Sequence, residues 1–494
     1  MSTLDTAMGS VDDIPTRSLF ASSVPLAILD HFRIPYRVDD GLPRDGIEEL
    51  RVPGGDRVLL WKADPTAEPI AISVRGVDRE TRLTLFARVL NDSVVESLLV
   101  GRGGTWQRAR MLTSADGTQC GSIWRDENGS VFLPFDPDEV VLTYWSERYL
   151  SVAAGGRIRR IRRALMLGYY RARPLLPRPV QIWLRRQFAR IQARSAFPCW
   201  PVETSLHDFF ELILAILADI AGGPVPCIAP WPNGHTWALV LTHDVEQADG
   251  VNAVGAVLEL ERARGVRSAW NFVPKRYFVD PDRVAELTAD GFEVGVHGVY
   301  HDGRDLESFA TWQERLPVAH DAADRWGAVG FRSAALHRDW DWMRLLNFDY
   351  DSSYPDTDPF EPQHGGCCTW LPFFNGDLVE LPLTLVHDHT LFVILRRQDE
   401  TAWVEKAEFL RARGGLALLD THPDYLIDER ILGAYAAFLD HFAGDESAWR
   451  ALPREVSSWW RRRAASSLEY DGRTWRVVGP AAAEARIELS EVTW

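Results

Sequence analysis

The chain reads as an α/β protein: an N-terminal α/β region followed by a barrel of alternating strands and helices. Two observations carry this. Apolar strand-like runs alternate with helical patterns throughout the second half. Acidic residues and histidines recur at the C-terminal ends of those runs, where α/β barrels build their sites. The composition, 46% hydrophobic and 25% charged over 494 residues, gives room for two or three globular domains.

Residues 1–150 mix short strand-like runs, at 58–61 and 70–74, with helical stretches and hold no catalytic cluster, as expected of an accessory α/β domain. Residues 151–229 form an Arg-rich helical linker region. Between Arg157 and Arg194, both included, stand twelve arginines and no acidic residue, so the remainder carries −28 where the whole chain carries −16. Tyr169, Tyr170, Leu175, Leu176 and Trp183 interleave with these arginines, and Val180, Leu184, Phe188 and Ile191 fall at helical spacing. Pro174, Pro177 and Pro179 break the stretch in two. Such a segment suits an anionic membrane surface or an interdomain helix paired with acidic neighbours, and both readings stay open.

An apolar helical run at 206–220 leads into seven strand candidates, at 237–242, 267–273, 292–296, 328–332, 348–351, 378–385 and 416–421. Helical patterns separate most of them, for example at 254–264, 284–290, 306–325 and 402–413. This alternation predicts a closed or nearly closed parallel (β/α) barrel over residues 230–448, with 449–494 as a C-terminal tail packed on it.

The net charge of −16 argues against nucleic acid as a partner, because binding it requires neutralising phosphates. The N-terminus lacks the basic and apolar regions of a signal peptide, and no apolar run approaches the roughly 20 residues of a membrane span. Cys120, Cys199, Cys227, Cys367 and Cys368 form an odd, sparse set that suits reduced thiols. A cytoplasmic location is expected, and in the membrane reading of the arginine segment, Arg157 to Arg194, that segment is the point of peripheral contact with the inner face.

The most informative motif is His297 and His301, in Gly295-Val296-His297-Gly298-Val299-Tyr300-His301. Histidines four apart on a helical turn point the same way, and with one carboxylate from elsewhere they can hold a divalent metal. Asp244 and Glu246 follow the first predicted strand, Arg332 ends the fourth, His387 follows the sixth and His422 the seventh. Convergence of these groups at one barrel end predicts a metal-assisted hydrolase. Asp244 and Glu246 lie two apart and so share a strand face, opposite Val245 and His243, and His243 is expected to be packed or hydrogen-bonded within the fold.

The runs Ala238-Leu239-Val240-Leu241-Thr242-His243-Asp244, Phe292-Glu293-Val294-Gly295-Val296-His297 with His301, Gly330-Phe331-Arg332, Tyr350-Asp351-Ser352-Ser353 and Leu419-Asp420-Thr421-His422 resemble the successive motifs of the NodB-like polysaccharide deacetylases, a carbohydrate esterase superfamily. The resemblance covers roughly residues 230–445. It implies a distorted seven-stranded (β/α) barrel and removal of an acyl group from an amino sugar, with a divalent metal, zinc in the first instance, on one acid and two histidines. His297 and His301 would be the histidine ligands. The usual adjacent aspartate pair is replaced by Asp244-Val245-Glu246, which implies Asp244 as general base and Glu246 as ligand, with the alternative of Asp244 as ligand left open. Gly298 and Ala334 also depart from the family pattern, which has Ser or Thr and Pro there.

By the same resemblance Arg332 would hold the base, and His422 would protonate the departing amine, with Asp420 as its expected acidic neighbour. His387, in His387-Asp388-His389, is a candidate to line the pocket, and Tyr300, Asp302, Arg304 and Trp340 are weaker candidates for sugar contact. The substrate expected is a surface-glycan precursor, lipid-linked or membrane-adjacent. Hydrolysis of another non-peptide C–N bond, such as a cyclic amide, and a catalytically silent carbohydrate-binding or membrane-scaffold protein are the competing readings.

Overall fold

The structure is a computed structural model. It describes residues 27–38, 46–53, 56–62, 67–78, 81–154, 168, 176–193 and 197–490. Most of the arginine run before Arg178, with Tyr169, Tyr170, Pro174 and Leu175, and Arg194 after it, lie outside the described residues.

The N-terminal strands are β1 (Arg37–Val38), β2 (Ile47–Arg51), β3 (Leu59–Lys62), β4 (Ile70–Arg75), β5 (Arg82–Ala87), β6 (Trp106–Ser114), β7 (Gln119–Asp126) and β8 (Val131–Leu133). They form one sheet in the order β1-β2-β3-β8-β7-β6-β4-β5, antiparallel except where β3 meets β8. The helix Pro137–Trp145 then starts cleanly, because the Asp136 carboxylate accepts from two free amides of its first turn and Pro137 fits the first position. The apolar helix Ser205–Ala221 ends on Gly222 in the left-handed conformation. Its Phe209 and Ile213 join Leu85 and Ile123 of the N-terminal sheet and Val296 and Phe331 of the second sheet in one continuous apolar core. Truncating such a residue as Phe209 to alanine would cost roughly 3–5 kcal/mol.

After β9 (Val225–Ile228) come β10 (Trp237–Val245), β11 (Ala269–Phe272), β12 (Glu293–His297), β13 (Gly330–Arg332), β14 (Tyr350–Asp351), β15 (Phe373–Asn375), β16 (Leu378–Glu380), β17 (Leu416–Thr421) and β18 (Ala448–Arg450). The order is β15-β16-β14-β13-β12-β11-β10-β17, with every pair parallel except β15 with β16. β18 adds in parallel at the start of β10. The sheet curls: beyond β16 the Leu385 amide donates to the Leu418 carbonyl of β17 (3.0 Å), and the Thr384 hydroxyl donates to Leu416 O (2.8 Å) while accepting from Leu418 N (2.9 Å).

The strands are buried on both sides because helices cover the outer face, among them Ala248–Arg262, Phe309–Trp326, Thr401–Ala412 and Glu429–His441. After β18 the helix Pro453–Ala464 buries Trp459 and Trp460 in a second apolar core, with Leu239 and Leu241 of β10 and Leu418 of β17. Between the N-terminal residues and the curled sheet, the buried Arg338 guanidinium grips the Glu147 carboxylate through Nε (2.9 Å) and Nη2. Among the described residues no helix is long and apolar enough to cross a membrane.

Candidate functional site

Every residue of β10 is buried, so a charged side chain at its end must be paired. Val245 faces the apolar layer. Asp244 Oδ1 accepts from Asn271 Nδ2 (2.8 Å) and from Arg332 Nη1 (3.1 Å). Burial works against ionisation of Asp244, but Arg332, His297 and His422 outweigh it and bring its pKa down to about 2, leaving a carboxylate at neutral pH. Asn271 can reach Asp244 only because Gly295 has no side chain: a Cβ there would stand 2.0 Å from Asn271 Oδ1.

Arg332, 1% exposed, also donates from Nη1 to Asp420 Oδ1 (2.7 Å), and its Nε and Nη2 reach Ser352 O and Oγ (2.9 and 3.0 Å). One guanidinium therefore faces two carboxyls. Burial and the Asp244 anion push the Asp420 pKa up, so Asp244 is the one that keeps its charge.

Glu246, His297 and His301 offer ligand atoms that all lie within 4.8 Å of one another. His297 Nδ1 donates to the Arg332 carbonyl (3.2 Å), which fixes the tautomer and leaves Nε2 as a bare lone pair. His297 Nε2 and His301 Nδ1 are buried without a hydrogen-bond partner among the described residues. His301 Nε2 lies 2.8 Å from Glu246 Oε1. Burial lowers the His297 pKa to about 4, so its imidazole is neutral at pH 7, the form that ligates. Orphaned imidazole nitrogens beside a carboxylate are the donor set a divalent cation needs, and the residues fit one.

His422 follows β17. Its Nδ1 lies 2.6 Å from Asp388 Oδ1, and its amide donates to Oδ2 of the same carboxylate (2.8 Å). Burial would lower the His422 pKa, but Asp388 and then Asp420 raise it well above the ordinary value, favouring the imidazolium. Nε2 is left facing Glu246 and Asp420, each at 3.7 Å. These groups line one cavity of about 90 Å3, completed by His387, His389, Glu361 and, from the helix Arg178–Gln192, Gln181, Ile182 and Arg185. His387 lies 2.9 Å from Glu361 Oε1, a contact that raises its pKa against the opposing effect of burial.

The structure thus brings together Asp244, Glu246, His297, His301, Arg332, His387 and His422. It differs from expectation at four points. The two histidines do not share a helical turn: His297 ends β12, and the chain swings round through left-handed Gly298 (φ 55°) and His301 (φ 52°). A Cβ at Gly298 would lie 2.7 Å from Asp305 Oδ2, which explains the glycine. This swing turns Tyr300 outward, 42% exposed beneath the Arg315 guanidinium, and ties Asp302 to Arg315 (2.7 and 2.8 Å), so neither lines the cavity. Arg304 likewise pairs with Glu307 (2.7 Å). The partner of His422 Nδ1 is Asp388, not Asp420.

His243 is fully buried between Thr421 Oγ1 (2.8 Å) and Glu261 Oε1 (2.9 Å), a structural histidine. Asn271 and Glu361 were not singled out from the sequence. A polar residue within the apolar run Ala269-Trp270-Asn271-Phe272 was the available signal for the first. Glu361 sits in an irregular loop and left none.

Fold and site together define a class, an α/β protein with a buried acid and histidine centre at the C-terminal ends of a curled parallel sheet. No family model matches the chain, and no curated protein matches it. Among solved structures it is similar to a protein assigned as a polysaccharide deacetylase from Mycobacterium smegmatis, at 18% identity and a TM-score of 0.40 over 49% of this chain and 96% of that one. A second such protein, from Pseudomonas aeruginosa PAO1, gives 16% and 0.41 over 48% and 94%. An allantoinase gives 17% and 0.40 over 47% and 93%.

Proposed function

We propose that the chain is a metal-dependent hydrolase of the NodB-like type that removes an acetyl group from an amino sugar of a surface-glycan precursor. The observation that carries this reading is the convergence of half-buried Glu246 with buried His297 and His301 beside Asp244, with His297 Nε2 and His301 Nδ1 left without partners among the described residues. Residues 230–448 are the catalytic unit in this reading, as a distorted seven-stranded barrel, and 1–150 an accessory unit. A cytoplasmic location and zinc as the metal belong to the same proposal.

Glu246, His297 and His301 would hold the cation, which supplies Lewis acidity toward the acyl carbonyl and acidifies water. Asp244, held by Arg332 and Asn271, accepts a proton from the attacking water. His422, charged because of Asp388, carries the proton that the departing amine requires. Arg332, Asn271 and Asp388 are positioning residues.

The test is acetate release from N-acetylated amino-sugar oligomers by the full chain, after chelation and after zinc is restored. Release that falls away on chelation and returns with zinc is expected. Ammonia or ring opening from a cyclic amide without acetate from any sugar would replace this reading by the other C–N hydrolase, and no turnover of either would leave the binder.

The carboxylate at Nδ1 of His422 also sets a pH dependence. Asp388→Asn removes the anion that raises the His422 pKa, so the imidazolium loses its proton at lower pH. The alkaline limb of the kcat/KM profile should therefore move down, by roughly 1 pH unit, while the acid limb stays in place. An unmoved alkaline limb would remove His422 as the proton donor.

A further inference from the structure

We infer that the helix Arg178–Gln192 docks the protein on an anionic lipid bilayer, beside the cavity it helps to wall. This helix is amphipathic in the inverse sense. Its polar face turns inward: Arg185 Nη2 meets Glu361 Oε1 (3.3 Å), Gln192 Nε2 donates to Glu361 O (3.2 Å), and Arg186 donates through Nε and Nη2 to Val393 O (3.0 and 2.8 Å). Ala189, 3% exposed, is the apolar contact on that side, against Phe360 and Ile394.

The opposite stripe is apolar and exposed. Val180, Trp183, Phe188 and Ile191 are 40%, 58%, 52% and 64% exposed, and at 100° per residue they fall on one side of the helix. Four of the thirteen large apolar side chains exposed among the described residues stand on these fifteen positions, a clustering that scattered surface residues do not produce. A helix that turns apolar groups outward while its inner face anchors it through Arg185, Arg186 and Gln192 presents them to something other than its own core.

Charge selects the occupant. Arg190 is exposed on the flank of the stripe, and Arg190 and Arg396 both stand close enough to Arg186 to lower its pKa, after the larger effect of burial. The sequence immediately before the helix adds seven further arginines between Arg157 and Arg173 with no acidic residue. A second copy of the chain on the same face would bring two such cationic sets together. An anionic bilayer attracts cationic side chains instead and accepts Trp183 at its interface, while the sequence outside Arg157–Arg194 carries −28.

The experiment is co-sedimentation of the full chain with vesicles of equal parts phosphatidylglycerol and phosphatidylcholine and with vesicles of phosphatidylcholine alone. The wild-type chain should pellet with the mixed vesicles at least about tenfold more strongly than with the neutral ones, and the combined variant Trp183→Ser, Phe188→Ser, Ile191→Ser should lose at least about tenfold of that binding. These side chains face solvent and line no part of the cavity, so acetate release from a soluble sugar, measured in parallel, should be the same for both proteins. Docking and chemistry thus fail separately. Wild-type protein that stays in the supernatant, equal binding to both vesicles, or a variant that pellets like wild type overturns the proposal. So does a dimer in sedimentation velocity that the variant abolishes, because the stripe would then be a self-association face.

Discussion

Asp244→Asn is expected to lower kcat/KM by about 10²–10⁴-fold, the range for removing a positioned general base, while the bound metal is retained. The amide cannot take a proton from water, yet it fills the same space. The fold should tolerate it, because the guanidinium of Arg332 keeps Asp420 at 2.7 Å. That carboxyl owes part of its raised pKa to the Asp244 anion, and on losing that neighbour it ionises more readily and takes over the charge balance. Acetate release and metal content on the same sample check both halves. Full activity in the variant would exclude Asp244 as base, and loss of the metal with it would make Asp244 the ligand.

His301→Ala and Glu246→Gln should each empty the metal site and abolish turnover. Partners that only orient metal ligands typically cost 10–100-fold in affinity when changed, so loss of one of three direct ligands should exceed about 10²-fold. Metal per protein after desalting should fall from near one to near zero, and added zinc in excess should restore little activity. His387→Ala is the contrast: its nitrogen is engaged with Glu361, and the variant should hold its metal. A His301→Ala protein that keeps both metal and activity would dissolve the centre proposed here.

Much of this arrangement is legible in the sequence because strand ends are marked locally. The run at 416–421 and β17 coincide, and those at 237–242 and 292–296 differ from β10 and β12 only at their ends. Period-two alternation separates Asp244 from Val245, and the structure has them on different layers. The turn after His297 is not legible in the sequence, because spacing of four is shared by a helical turn and by a loop with two left-handed residues, and only φ tells them apart.

By itself the sequence determined which residue types stand at the ends of which strands, hence the candidate ligands, base and acid, since those depend on periodicity over a few residues. Only the tertiary structure decided which carboxylate each of them meets. Asp388 reaches His422 across 34 residues, Arg332 spans 88 to both Asp244 and Asp420, and Arg185 closes the cavity from 176 residues before Glu361. Protonation follows distance through space in a medium of low polarity, and no local pattern in the chain records that distance.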